Sequence, residues 1–320
     1  MNELTTAPAQ SPRGLFKGPT ATGVAVSPPK VNVALNAGAR LMFFVGALAL
    51  GACSATRVAY DNADAMLRFM ASNYLDLDAE QSDDLKPRIA RFHQWHRANE
   101  LPVYVGLLHS ASQRAAHGIT AEDVAWGLAS VRARYRRFAA KAAEDAAPVL
   151  ATLVPAQIAV LERKFAENND EYSKEFLSSD DKQRRRIQLK RMLKRFRDFS
   201  GELTSDQEAR IERFAVAHEH HVVLRFEDRQ HWQRDLVAAL RRRHKPQELD
   251  QNLAEMFNKP ELRRTEEFLR EDKRWEEDLG QLIVELDRSL SPRQRAQVVR
   301  RLSDYAEDFA VLAGKRKETA

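Results

Sequence analysis

Cysteine is almost absent: one residue, Cys53, in a chain of 320. An intramolecular disulfide is therefore excluded, as is any site that needs two thiolates, such as a zinc ribbon or a cysteine-ligated iron–sulfur cluster. Glycine becomes scarce beyond the first 52 residues, which hold six of the 12 glycines and five of the 12 prolines. Familiar catalytic patterns are missing too. There is no Gly-x-Ser-x-Gly elbow, no phosphate-binding glycine loop, no dinucleotide fingerprint and no His-Glu-x-x-His pair. Paired carboxylates carry almost no information where 30% of the residues are charged. A non-enzymatic protein without a cofactor is expected.

The composition is otherwise that of a folded chain. Hydrophobic residues make up 43%, too many for a wholly disordered protein and too few for a polytopic membrane protein. Residues 1–52 read as a leader. Residues 41–50 are uncharged and apolar, with Lys30 and Arg40 before them and Gly51-Ala52-Cys53 after. That is the layout of a secretory signal, and the run is about half of the ~20 residues a membrane-spanning helix needs. Leu50-Gly51-Ala52-Cys53 resembles the bacterial lipobox. The resemblance implies cleavage between Ala52 and Cys53, acylation of Cys53 with palmitate among the acyl chains, and, with Ser54 rather than Asp next, placement in the outer membrane facing the periplasm. The forty residues before the run exceed what a signal needs. A later start at Val31 or Val33 is one reading and a genuine disordered leader the other.

Removing residues 1–52 takes away four of the 51 basic residues (Arg13, Lys17, Lys30, Arg40) and one of the 46 acidic ones (Glu3), so the net charge falls from +5 to +2. The pI of about 9.3 thus owes much to the leader. Nucleic acid is not the expected partner.

Residues 53–320 read as one periplasmic all-α domain, an elongated bundle of roughly eight to ten helices. Leu189, Met192, Leu193, Phe196 and Phe199 recur at helical steps from Asp180 to Gly201. Similar stripes run through Ile158, Leu161 and Phe165, through Leu269, Leu279, Leu282 and Leu286, and through Val298, Leu302, Tyr305, Phe309 and Leu312. Four segments share the pattern Leu, cap, two residues, Gln, ending at Gln81, Gln157, Gln207 and Gln294. Asp78, Thr204 and Ser291 can each cap a helix with the Gln reaching back, and Pro155 and Pro292 suit a first helical position. Ile119-Thr120-Ala121-Glu122-Asp123 is a weaker fifth case. Pro87, Pro102, Pro148, Pro246 and Pro260 are expected to mark further breaks or starts.

The Leu-Thr-x-x-Gln form of this pattern is similar to the repeat of the Spy and CpxP periplasmic chaperones. A broader likeness links Cys53, Tyr60-Asp61-Asn62-Ala63-Asp64, residues 74–81 and Trp95-His96-Arg97-Ala98-Asn99-Glu100-Leu101-Pro102-Val103-Tyr104. Together they resemble a family of uncharacterised proteobacterial lipoproteins, which implies location and fold but no activity.

Three groups are candidates for recognition or chemistry. Trp95, His96, Arg97, Glu100 and Tyr104 can form a recognition surface, with Arg97 offered to a carboxylate or phosphate, or simply a packed helix corner. His218 and His221, with His220 and His231 nearby, are weak metal-ligand candidates, the alternative being a solvated helix face. Basic stretches at residues 132–138 and 182–197 can meet an anionic membrane or be solvated faces. The expected partners are the membrane, through the lipid anchor, and another envelope protein bound as an adaptor or scaffold would. A chaperone-like holdase and a metal-binding protein are the alternatives, and the oligomeric state is left open.

Overall fold

A computed structural model describes residues 53–177, 180–243 and 246–314. The leader, the alternative starts and the Ala52 side of the expected cleavage lie outside the described residues, as does the side chain of Cys53. Every described element is helical. In chain order they are α1 (Cys53–Asp61), α2 (Ala63–Leu75), α3 (Ala79–Asn99), α4 (Leu101–His117), α5 (Ala121–Thr152), α6 (Pro155–Phe176) and α7 (Asp181–Ser200). There follow α8 (Ser205–Ala217), α9 (Glu219–Arg241), α10 (Pro246–Asn258), a 3-10 turn (Pro260–Arg263), α11 (Glu266–Arg288) and α12 (Pro292–Gly314). None is long and apolar enough to cross a membrane.

These helices outnumber the eight to ten expected because single residues divide three of them. Asn62, Glu100 and His218 separate α1 from α2, α3 from α4, and α8 from α9. Pro87 and Pro148 do the opposite of what was expected and sit inside α3 and α5. A proline there forfeits one backbone hydrogen bond and crowds the preceding turn. Both helices nevertheless run on, because the turns on either side are anchored by buried Gln81 and Phe92 in α3 and by Ala143, Val149 and the following Leu153 around the end of α5.

The core has three parts. Leu153, Ile158, Leu161, Phe165, Leu240 and Leu253 join α5, α6, α9 and α10. Ile211, Phe214, Leu279, Leu282 and Leu286 join α8 and α11, and the apolar stripe of α7 packs on them through Leu189, Met192, Leu193 and Phe196. Tyr60, Leu101 and Leu312 bring α1, α4 and α12 together. α4 lies along α12, where the Ser112 hydroxyl meets the Ser303 hydroxyl at 3.1 Å and the Val299 carbonyl at 3.3 Å. α7 ends at Gly201, whose φ of +78° is open to glycine and costly for other residues.

The four Leu-x-x-x-Gln starts fold as caps and then do something more. Asp78, Thr204 and Ser291 accept from the backbone N–H of Gln81, Gln207 and Gln294, and each Gln carbonyl oxygen accepts in return from the cap N–H. Val154 has no acceptor, so only the returning half forms there, from its N–H to Gln157 Oε1 at 2.9 Å. A capping oxygen leaves the amide nitrogen with two donors to place. Gln81 and Gln157 satisfy each other: Gln157 donates to Gln81 Oε1 at 2.6 Å and Gln81 to Gln157 Oε1 at 3.1 Å. The second donors go to the carbonyls of Thr152 and Asp76, each five residues before the partner glutamine. Gln207 and Gln294 repeat the arrangement at 3.3 and 2.9 Å, with second bonds to the carbonyls of Ser289 and Glu202. Two reciprocal amide knots, buried and in the same register, thus hold helix starts 76 and 87 residues apart.

Candidate functional site

The five candidate side chains between Trp95 and Tyr104 turn inward, while Ala98, Asn99, Pro102 and Val103 of the same segment are exposed. His96, Arg97 and Glu100 are buried and Trp95 and Tyr104 half-buried, because the inward stripe of α3 runs Phe92, His93, His96, Arg97, Glu100 and carries polar groups into the interior. Each is used there. His96 is gripped from two sides, with Nδ1 2.9 Å from the Tyr60 hydroxyl on α1 and Nε2 3.3 Å from the Tyr104 hydroxyl on α4. Burial pushes its pKa down to about 4, helped by His93 and Arg97, so the ring is neutral at ordinary pH. A neutral imidazole has one donor and one acceptor, so it must accept from one tyrosine and donate to the other. Burial raises the pKa of both hydroxyls.

Arg97 donates to the Leu312 carbonyl in the last turn of α12 at 2.9 Å and to Asp61 at 2.9 Å, with its guanidinium 5.1 Å from the Tyr60 ring. It therefore ties the end of the domain to its beginning and meets an end carbonyl of a helix with positive charge. Glu100, between α3 and α4, is wholly buried and pairs with Arg137 at 2.7 Å and Arg134 at 3.7 Å. Burial raises its pKa while the two arginines pull it back. Arg137 also lies 5.8 Å over Trp95. Of the two readings offered for these five side chains, the contacts are those of packing, at an internal junction of α1, α3, α4, α5 and α12.

The basic stretch at residues 132–138 belongs to the same framework. Arg134 and Arg137 hold Glu100, Arg132 pairs with Glu276 on α11 at 2.5 Å, and Phe138 packs its edge on Phe92 and His96. In the basic α7, Arg184 and Arg185 both reach Glu219, and Arg191 stacks 4.1 Å over Phe176.

His218 and His221 are buried, not solvated, and they diverge. His218, the single residue between α8 and α9, meets Asp278 at 3.0 Å, while His221 meets Asp272 at 3.0 Å and stacks on Trp275 at 5.2 Å. The two carboxylates stand six residues apart on α11, so the imidazoles do not converge on one point. His220 is exposed near Glu267, and His231 is half-buried near Asp235. Among the described residues, no group of three or more His, Cys, Asp or Glu is placed to hold a metal.

Around His221 lies a charged network that the sequence reading passed over. Burial lowers the pKa of His221 and of the deeply placed Arg225, and raises that of Asp228, which faces Arg264 at 3.4 Å. Burial works against ionisation of Asp272 as well, yet its bond to His221 and the nearby Arg225 win and leave its pKa lowered. Arg229 is 1% exposed, its guanidinium 5.4 Å from the Tyr172 ring. The available signal was register: His221, Arg229 and Gln233 share the buried stripe of α9 with Leu224, Val237 and Leu240. A cavity of about 20 Å³ beside this network is lined by Asp228, Trp232, Asp235 and Arg263 among others, room for about one water.

A protein-family model described as a family of unknown function, DUF6279, matches residues 73–270. The matched stretch contains the Trp95–Tyr104 segment, the buried histidines and three of the four paired glutamines; Cys53 and residues 60–64 precede it. No curated protein and no solved structure matches the chain. Since the match spans more than half of the 320 residues, the chain belongs to the DUF6279 family of unknown function.

Proposed function

We propose that this protein is a lipid-anchored scaffold of the bacterial outer membrane, facing the periplasm, that binds another envelope protein and performs no chemistry of its own. One observation carries the reading: the side chains best suited to chemistry are spent on one another across helix junctions. His96 has both nitrogens taken, Arg97 bridges Asp61 and the Leu312 carbonyl, and Glu100 is enclosed by two arginines. Such ties favour a fixed shape over a reactive centre. The lipobox resemblance supplies the anchor and the location.

The test has two arms. Metabolic labelling with palmitate is expected to mark the wild type and not Cys53→Ala; equal labelling overturns the anchor. In-cell crosslinking of the tagged protein, compared with Cys53→Ala, is expected to recover one or two abundant envelope proteins that are lost with the anchor. A broad spread of outer-membrane clients replaces the scaffold by the chaperone-like reading, whose support is the four Leu-x-x-x-Gln starts.

A further inference from the structure

The first two helices are apolar on two sides. Backbone bonds continue through the division at Asn62, from its N–H to the Val58 carbonyl at 3.2 Å and from the Met66 N–H to the Asn62 carbonyl at 3.1 Å. α1 and α2 therefore keep nearly one helical phase of about 100° per residue, in which Val58, Ala65, Met66 and Phe69 fall within a sector about 100° wide that also holds the uncharged polar Asn62 and Asn73. These residues face outward: Val58 is 62% exposed, Met66 45% and Phe69 73%, and Ala65 is exposed as well. Tyr60, Tyr74 and Leu75, on the other side, pack into the domain. Singly scattered apolar residues at a surface are ordinary, but an aligned stripe is not.

We propose that this stripe rests on the surface of a phospholipid bilayer, so that α1 and α2 lie along the membrane beside the lipid on Cys53. The inference rests on the lipid-anchor reading above. Connectivity argues for it first. α1 begins at Cys53 itself, so no loop separates an acylated residue from the stripe. Val58 follows by about 7.5 Å of helix rise and Phe69 by about 24 Å, distances that leave the stripe beside the bilayer. Charge argues for it second. The cations of these helices are turned to partners, Arg57 to Asp308 at 2.7 Å and Arg68 to Asp64 at 4.0 Å, and the stripe itself is uncharged. The contact is hydrophobic, takes a zwitterionic lipid surface and is indifferent to salt.

The experiment uses the full-length acylated protein in vesicles of phosphatidylcholine and phosphatidylethanolamine. Acylation of Cys53, checked by mass, makes the thiol of Phe69→Cys the only free one; Val58→Cys, Met66→Cys and Lys182→Cys on α7 are made in the same way. A nitroxide at each is read by its collisions with oxygen and with a water-soluble nickel chelate. Labels at 58, 66 and 69 are expected to favour oxygen, and the label at 182 to favour nickel, in low and high salt alike. Nickel contact at 58, 66 and 69 in acylated protein overturns the proposal and leaves the anchor standing. Labels screened from both reagents overturn it in favour of a protein on the stripe, whether a partner or a second copy. A mass showing no acylation overturns the anchor and this proposal with it.

Discussion

Replacing Gln207 by leucine tests whether the amide knots hold the fold together. The glutamine is fully buried; its oxygen accepts from the Thr204 N–H at 3.0 Å and from Gln294 at 2.9 Å, and its nitrogen donates to the Ser289 carbonyl at 3.1 Å. Leucine deprives all three partners at once. Each stranded buried group costs about 1–3 kcal/mol, and burial of the leucine returns about 1–2 kcal/mol, so a net loss of about 3 kcal/mol is expected. Gln294→Leu should cost a similar amount. The double variant should not cost the sum, because part of each single loss is an amide facing a hydrocarbon, and that mismatch vanishes when both are leucine. A coupling of about 2 kcal/mol is expected. Urea melts followed by circular dichroism measure it, with stabilities compared at unchanged slope. Gln81→Leu combined with Gln207→Leu is the control; these share no partner and should add. Additive losses for Gln207 and Gln294, or single losses below about 1 kcal/mol, would refute the reciprocal pairing.

His96 has a folded pKa near 4 against about 6.5 unfolded, so its contribution is full above pH 6.5 and is lost as pH falls toward 4, by about 3 kcal/mol in all. Urea midpoints at pH 7 and 4.5 should separate by clearly less in His96→Gln than in the parent, and equal separations would contradict the Tyr60–His96–Tyr104 clamp. Arg137→Gln should destabilise more than Glu100→Gln, since it removes the closer arginine and leaves the buried carboxylate only Arg134 at 3.7 Å, at a cost of about 1.5–3 kcal/mol, whereas the Glu change leaves two partly exposed arginines unmatched. Thermal melts rank the two. Gly201→Ala should cost about 1–3 kcal/mol from backbone strain alone, since no atom lies within 4 Å of the added methyl. A fragment of residues 73–270 should lack cooperative unfolding, because it omits Tyr60, Gln294 and all of α12.

The all-α class was legible because glycine scarcity and three- and four-residue apolar steps leave few alternatives. The caps Asp78, Thr204 and Ser291 could also be read, since a capping box is local. The knots could not, although one hint was present. All four positions hold glutamine where glutamate would cap as well, and only an amide can both accept from the cap and donate to a neighbour. Packing was one of the two readings open for the Trp95–Tyr104 segment, but its burial was hidden because polar residues occupy the inward stripe of α3. The same substitution of polar for apolar groups concealed the network on α9. Pro87 and Pro148 misled because their local cost is outweighed by packing on either side.

The pairing of α4 with α12 has a temporal consequence. Ser112 and Val299, which touch across that interface, are separated by 187 residues. A chain emerging N-terminus first from a ribosome or a translocon presents α4 long before its cover exists, and Arg97 waits longer still for the Leu312 carbonyl, 215 residues on. α12 therefore closes a junction that α1, α3 and α4 open much earlier. Until then the nascent chain carries an unsealed seam, and the order in which its parts are made runs against the order in which they can be finished.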